Sequence, residues 1–179
     1  MIFDYKDSFS TEFSKTFSAV DYRSEFWSYT NSWTFLGTGV SIRLALESMA
    51  VKRAAELFTD DDAERVRARL AAFDDARQRG DSRTAVRTHT DFHFALYEAA
   101  RSGWLVRLIR PVWDTCERYR PVLLGAGAIQ DRHEELDVEL LEACEAHDPA
   151  RSSAALRAHL ELASEIFSVE LRGRSIFAF

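Results

Sequence analysis

Apolar residues recur at three- and four-residue spacing through most of the chain, which is the periodicity of amphipathic helices. After Gly39 this pattern predicts six helices. They span about residues 40–57, 60–80, 82–101, 104–124, 129–146 and 149–172. No segment keeps the strict alternation typical of a half-buried strand. We therefore predict an all-α fold, arranged as an antiparallel helical bundle.

Short polar motifs indicate where these helices begin and end. Thr59 precedes three aspartates and predicts a helix N-cap, and Gly80 predicts the end of the same helix. Asp81 can cap the third helix. Asp148 and Pro149 supply a cap and a proline at the first helical position of the sixth helix.

The first 38 residues differ in composition from the rest of the chain. They hold half of the aromatic residues, whereas the remainder is rich in Ala, Leu, Arg and Glu. Phenylalanines recur every four residues from Phe9 to Phe17, which predicts an amphipathic helix. We expect residues 1–38 to form a helical arm that covers an apolar face of the bundle or packs on a second subunit in a homodimer. Residues 39–172 should form the bundle and 173–179 a C-terminal tail.

Composition and charge argue against several classes of protein. No apolar run is long enough to span a bilayer and no secretory signal begins the chain, so the expected location is the cytoplasm, without a membrane partner. The net charge is −6 and the arginines are scattered, which argues against direct binding of nucleic acid. Cys116 and Cys144 lack the spacing of a zinc finger, and we interpret them as buried thiols.

Two histidines, His89 and His93, lie four residues apart in the predicted third helix. This spacing places both imidazoles on one helix face, about one turn apart, where both can reach one metal ion. The pair alone is a weak signal, and two polar residues on a solvated face are the alternative interpretation.

The predicted hairpin of the fifth and sixth helices carries two further candidate ligands. Asp137 lies eleven residues before Asp148, and His159 lies eleven residues after it. Both should therefore lie about 16 Å from the turn, at the same height. His133 lies one turn further along and should be displaced by about 6 Å from His159. We therefore prefer Asp137 as the ligand and interpret His133 as a neighbour of the site.

Three short motifs follow one another along the chain. They are Arg43 and Glu47 in R-x-x-x-E spacing, Phe92-His93-x-Ala95-Leu96, and Leu140-Leu141-Glu142-Ala143 followed by Asp148, Ala154 and His159. In this order and spacing, residues from about 40 to 165 resemble the FCD domain. That domain is the effector-binding part of FadR-type regulators in the GntR family.

The resemblance implies a helical bundle with a divalent metal at its centre, held in many family members by one Asp and three His. The matching positions in this chain are His89, His93, Asp137 and His159. His89 stands where the family has Asp, and Asp137 stands where it has His, so the inventory of ligands is preserved. Three nitrogens and one oxygen suit Zn, Ni, Mn or Fe(II). The resemblance also implies that a small organic acid binds to positions left open on the ion.

Two arginines are candidates for orienting such an acid. Arg43 belongs to the first motif, and Arg120 lies on the predicted helix that faces the pocket. A guanidinium can bind a carboxylate through two parallel hydrogen bonds. A solvated or ion-paired arginine is the alternative interpretation for each.

Two functions fit these expectations. The first is a metal-containing binding module for a small organic acid. The second is a metalloenzyme that uses the same centre, with His133 as a proton carrier. GntR regulators carry a winged helix-turn-helix ahead of this domain, whereas the 38 residues before it here hold three basic and five acidic residues. We therefore expect no DNA binding through that module, which favours the enzyme, whereas the resemblance favours the binding module.

Overall fold

The computed structural model describes residues 33–117 and 128–170, and within these ranges the chain is helical and contains no strand. The helices are α1 (Trp33–Leu57), α2 (Asp60–Gln78), α3 (Ser82–Ala99), α4 (Gly103–Glu117), α5 (Ala128–Glu145) and α6 (Pro149–Glu170). The predicted all-α fold is confirmed. The predicted arm as far as residue 32, Arg120 and the predicted tail lie outside the described residues. None of the described helices is long and apolar enough to cross a bilayer.

Helices α2 and α3 begin at the capping residues that the sequence predicts. The Thr59 side chain accepts a hydrogen bond from the backbone N–H of Asp62, and the Asp62 carboxylate accepts one from the backbone N–H of Thr59. Asp81 caps α3 by accepting a hydrogen bond from the backbone N–H of Thr84. Gly80, just beyond α2, has a φ of +70°, which a glycine adopts without strain.

Helix α1 begins earlier than the sequence indicates. The composition predicts a start near residue 40, whereas the helix begins at Trp33 and continues through Gly37 and Gly39. Glycine is unfavourable inside a helix, by about 1 kcal/mol relative to alanine. At Gly39, however, an added Cβ would lie only 3.3 Å from Cys116 Sγ on α4. The close packing of α1 and α4 thus favours a small residue at this position.

Helix α1 is the central element of the bundle and packs against α3, α4, α5 and α6. The pairs α2–α3 and α5–α6 form two hairpins. At the turn of the second hairpin, His147 Nδ1 lies 2.9 Å from the carbonyl oxygen of Ala55 on α1. Fully buried apolar side chains fill the space between the helices, among them Val51, Phe73, Phe92, Leu96, Leu140 and Leu156. Cys116 and Cys144 are buried free thiols, as predicted, and burial raises the pKa of Cys144 to about 12.

Asp62 links the start of α2 to the end of α3. Its carboxylate accepts hydrogen bonds at 2.6 Å from Arg65 and at 2.6 and 3.1 Å from Arg101. Burial by itself raises the pKa of Asp62, but the hydrogen bonds from Arg101, Thr59 and Arg65 outweigh it and lower the pKa to about 2.

We expect Asp62 to contribute stability that is lost in acid. An unfolded Asp has a pKa of about 3.9, so the contribution is fully present above about pH 4 and disappears as the pH falls towards 2. The stabilisation by Asp62 is about 2 kcal/mol after allowance for water, which screens the charges of the partly exposed arginines. Asp62→Asn should lower the free energy of unfolding in urea at pH 7 and reduce its dependence on pH between 4 and 2. The exposed neighbour provides a control in Asp61→Asn, and equal pH dependence in the two variants would contradict the prediction.

Candidate metal centre

Five buried side chains from three helices meet at the centre of the bundle. Helix α3 contributes His89 and His93, α5 contributes His133 and Asp137, and α6 contributes His159. Each of them is at most 2% exposed. This burial excludes the solvated-face interpretation of the pair on α3.

The apolar pattern of α3 explains why its histidines point inward. Ala85, Phe92 and Leu96 are buried at helical spacing on this helix. His89 and His93 fall on the same stripe, so the periodicity that buries the apolar side chains also carries both imidazoles into the core.

The Asp137 carboxylate lies between the imidazoles. Its Oδ1 is 2.9 Å from His159 Nδ1 and 3.2 Å from His93 Nε2, and its Oδ2 is 3.5 Å from His89 Nε2. Burial by itself raises the pKa of Asp137, but the neighbouring imidazoles of His159 and His93 outweigh it and lower the pKa well below its usual range. The carboxylate is therefore ionised, which is the form that binds a metal.

His133 lies closer to the other histidines than the sequence indicates. The helical rise predicts a displacement of about 6 Å from His159. The ring centres of His133 and His159 are nevertheless only 3.7 Å apart. Backbone rise describes the position of the Cα atoms only, and two long side chains that lean towards each other remove the difference. His133 thus lies among the candidate ligands and not one turn outside them.

The positions and chemistry of these groups fit a divalent metal. His89, His133, Asp137 and His159 each offer one ligand atom, and these atoms all lie within 4.8 Å of one another. Ligand atoms about 2.1 Å from a tetrahedral zinc ion are about 3.4 Å apart, so the widest pair of this group would have to close by up to about 1.4 Å to surround one ion. His93 Nε2 adds a further nitrogen, 3.0 Å from His89 Nε2.

Trp113 of α4 packs against the cluster. The centre of its indole ring lies 5.0 Å from that of His93 and 5.8 Å from that of His89, and the side chain is almost fully buried. Its Nε1–H donates a hydrogen bond to Thr90 Oγ1 at 3.3 Å. An apolar neighbour of this kind keeps water away and strengthens electrostatic interactions in the cluster.

Arg43 lies beside the cluster and is held by Glu47. Its Nε and Nη2 donate to the two Glu47 carboxylate oxygens at 2.6 and 3.2 Å, and its guanidinium carbon lies 4.3 Å above the Trp113 ring. Burial by itself lowers the pKa of Arg43, but Glu47 outweighs it and raises the pKa, so the group stays charged. Arg43 is thus ion-paired in the structure, which was the alternative interpretation from the sequence. Its binding of an organic acid stays a prediction.

Tyr97 is a residue of the site that the sequence analysis did not single out. Its hydroxyl donates to Glu47 Oε2 at 2.7 Å and lies 3.4 Å from His93 Nδ1. Burial and the charge of Glu47 raise its pKa well above the ordinary value, so the phenol keeps its proton. Its spacing of four residues from His93 is the signal that indicates a shared helix face.

These features define an all-helical bundle whose centre holds buried imidazoles around one carboxylate. The sequence model of the FCD domain matches residues 40–162, which is most of the chain. The chain belongs to the FCD domain family.

Comparison with solved structures gives the same fold. E. coli McbR/YncC is 26% identical in sequence, with a TM-score of 0.66 over 75% of this chain and 65% of that chain. The present chain therefore corresponds to about two thirds of the length of that structural relative. A comparison with curated proteins finds no match.

Proposed function

We propose that this chain is an effector-binding domain that holds a divalent metal ion and recognises a small organic acid through it. Membership of the FCD domain family and the likeness to McbR/YncC, a GntR-family regulator, support the effector-binding part. The metal part rests on one observation, namely that three imidazoles and one carboxylate offer ligand atoms within 4.8 Å of one another in the core.

Three residues belong both to the ligand set implied by the sequence and to this converging group: His89, Asp137 and His159. His93 and His133 supply further imidazole nitrogens beside them. A set dominated by imidazoles favours Zn, Ni, Mn or Fe(II) over Mg²⁺ and Ca²⁺, which prefer oxygen ligands.

The balance of charge in the site supports an anionic ligand. Asp137 contributes one negative charge, and the positive charge of Arg43 is neutralised by Glu47. A divalent ion would therefore leave the site with about one net positive charge. When bound, the ion supplies a Lewis-acidic centre that attracts a carboxylate. The buried surroundings would strengthen that attraction.

Metal loading and organic-acid binding test this function in two stages. Protein stripped by a chelator should take up about one equivalent of zinc, and a thousandfold excess over Kd should stabilise it by about 4 kcal/mol. Elemental analysis and thermal melting measure these effects, with Mg²⁺ as the matched control. Di- and tricarboxylic acids should then raise the melting temperature of the zinc-loaded protein but not of the metal-free protein.

Each stage can contradict its own part of the proposal. Wild-type protein that retains negligible zinc after reconstitution and melts at an unchanged temperature would overturn the metal centre. Acids that stabilise metal-free and zinc-loaded protein equally would overturn recognition through the ion.

The described residues contain no observation that favours the enzyme considered from the sequence. His133, the predicted proton carrier, packs against His159 among the candidate ligands. We therefore propose the binding function alone.

A further inference from the structure

A chain of buried polar side chains leads from α1 to the candidate metal centre. Arg43 donates two hydrogen bonds to Glu47, and the Tyr97 hydroxyl donates one to Glu47. The Tyr97 oxygen in turn lies 3.4 Å from His93 Nδ1. Glu47, Tyr97 and His93 are fully buried, and Arg43 is 8% exposed.

We propose that Tyr97 is a positioning residue that determines which nitrogen of His93 carries a hydrogen, so that Nε2 is presented to the metal. This inference rests on the proposed metal centre. It assigns a role to Tyr97 and gives Arg43 and Glu47 a supporting role in place of contact with an effector.

The direction of the hydrogen bonds follows from the number of hydrogens available. A phenol has one hydrogen to donate, and the shorter contact, 2.7 Å to Glu47, takes it because an ionised carboxylate can only accept. The Tyr97 oxygen is then an acceptor towards His93. In the proposed arrangement, the Nδ1–H of His93 donates to this oxygen across the contact of 3.4 Å.

The other nitrogen of His93 faces the candidate ligands. Nε2 lies 3.2 Å from Asp137 Oδ1 and 3.0 Å from His89 Nε2. An imidazole binds a metal through a nitrogen without a hydrogen, and the hydrogen bond made by the opposite nitrogen selects this tautomer. Placing the hydrogen on Nδ1 therefore makes Nε2 the nitrogen available for a metal.

Arg43 holds the carboxylate of Glu47, which accepts the hydrogen bond from the Tyr97 hydroxyl. It engages both carboxylate oxygens of Glu47, and its guanidinium is stacked on the buried Trp113 ring. Glu47 is thereby held in one orientation, with Oε2 directed to Tyr97. Without that fixed acceptor, the phenol hydrogen could turn towards His93 and exchange the roles of its two nitrogens.

Removing the Tyr97 hydroxyl alone tests this role. Long-range ¹H–¹⁵N spectra of the histidine rings should show zinc-loaded wild-type His93 with hydrogen on Nδ1 and zinc on Nε2. In Tyr97→Phe, the Nδ1 hydrogen should lose its protection from exchange, and zinc affinity should fall about tenfold to a hundredfold. The control is Ser152→Ala, which removes a buried hydroxyl bonded to the carbonyl oxygens of Val51 and Pro149 and should change neither result.

A second variant serves if Tyr97→Phe does not fold, as judged by circular dichroism. Arg43→Met combined with Glu47→Leu keeps the phenol but removes its acceptor, so its hydrogen should turn to His93 Nδ1. The hydrogen of His93 should then move to Nε2, with a similar loss of zinc affinity. An unchanged His93 spectrum in this double variant would overturn the positioning role.

The outcomes separate this inference from the proposed function. If wild-type protein binds zinc through Nδ1 of His93, or if Tyr97→Phe binds zinc as tightly as wild type, the positioning role is overturned and the metal centre stands. If wild-type protein binds no zinc, the metal centre is overturned and the role of Tyr97 towards it falls as well.

Discussion

Replacement of Asp137 by alanine should lower the affinity of the protein for zinc by about a hundredfold to a thousandfold. Apparent binding energies of structural zinc sites are about 10–16 kcal/mol over four ligands, or about 2.5–4 kcal/mol for each ligand. Asp137 is in addition the carboxylate that lies against His89, His93 and His159. Its loss would leave the charge of the ion uncompensated in a buried site. Competition with a chromophoric chelator measures the affinity.

Two further variants test the exchanged positions of histidine and aspartate at residues 89 and 137. The exposed residue Asp131 is on the same helix, and Asp131→Ala should bind zinc like wild type. His89→Asp combined with Asp137→His restores the arrangement implied by the family resemblance and keeps three imidazoles with one carboxylate. This double variant should recover most of the affinity that Asp137→Ala loses. Zinc binding by Asp137→Ala that equals wild type would refute the role of the carboxylate.

Replacement of Glu47 by alanine should lower the free energy of unfolding by about 3–5 kcal/mol. The substitution leaves the charged Arg43 in the core without its carboxylate and removes the acceptor of the Tyr97 hydroxyl. Removing one partner of a buried ion pair costs more than the pair contributes, because the remaining charge stays desolvated. Urea denaturation of the metal-free protein measures the effect without a contribution from zinc.

A double variant distinguishes the cost of a lone charge from the loss of a favourable contact. Arg43→Met combined with Glu47→Leu removes both charges and should regain most of the stability that Glu47→Ala loses, apart from about 1 kcal/mol for the Tyr97 hydroxyl. Glu161, in an exposed pair with Arg157, provides the control, and Glu161→Ala should leave stability nearly unchanged. Equal stability of Glu47→Ala and Glu161→Ala would show that the buried pair has no special importance.

Local features of the fold were predictable because they depend on residues close together in the chain. Thr59 and Asp81 cap their helices through backbone groups three residues away, and Gly80 accommodates its own backbone conformation. The common face of His89 and His93 likewise follows from helical spacing, whereas the burial of that face was decided only by the packing of α3 in the bundle.

The composition of the candidate site was only partly predictable. Equal distances from one turn indicated that Asp137 and His159 are neighbours, and Asp137 Oδ1 lies 2.9 Å from His159 Nδ1. The same reasoning placed His133 one turn away from the site, because it considered only the rise of the helix backbone. The imidazole side chain reaches far enough to bring the ring of His133 next to that of His159. The sequence also placed the start of α1 near residue 40, whereas the helix begins at Trp33. The contact of Gly39 with Cys116, which favours a small residue inside this helix, joins positions far apart in sequence.

The sequence by itself determined the helical class, the capped helix starts and the common face of His89 and His93, because spacing and capping act within a few residues. Only the tertiary structure decided which partners these residues meet. The contact between Glu47 and Tyr97 joins residues 50 positions apart, and the ring of His133 meets His159 across two helices. Such contacts depend on how whole helices pack and on which way long side chains lean, and no local pattern encodes either.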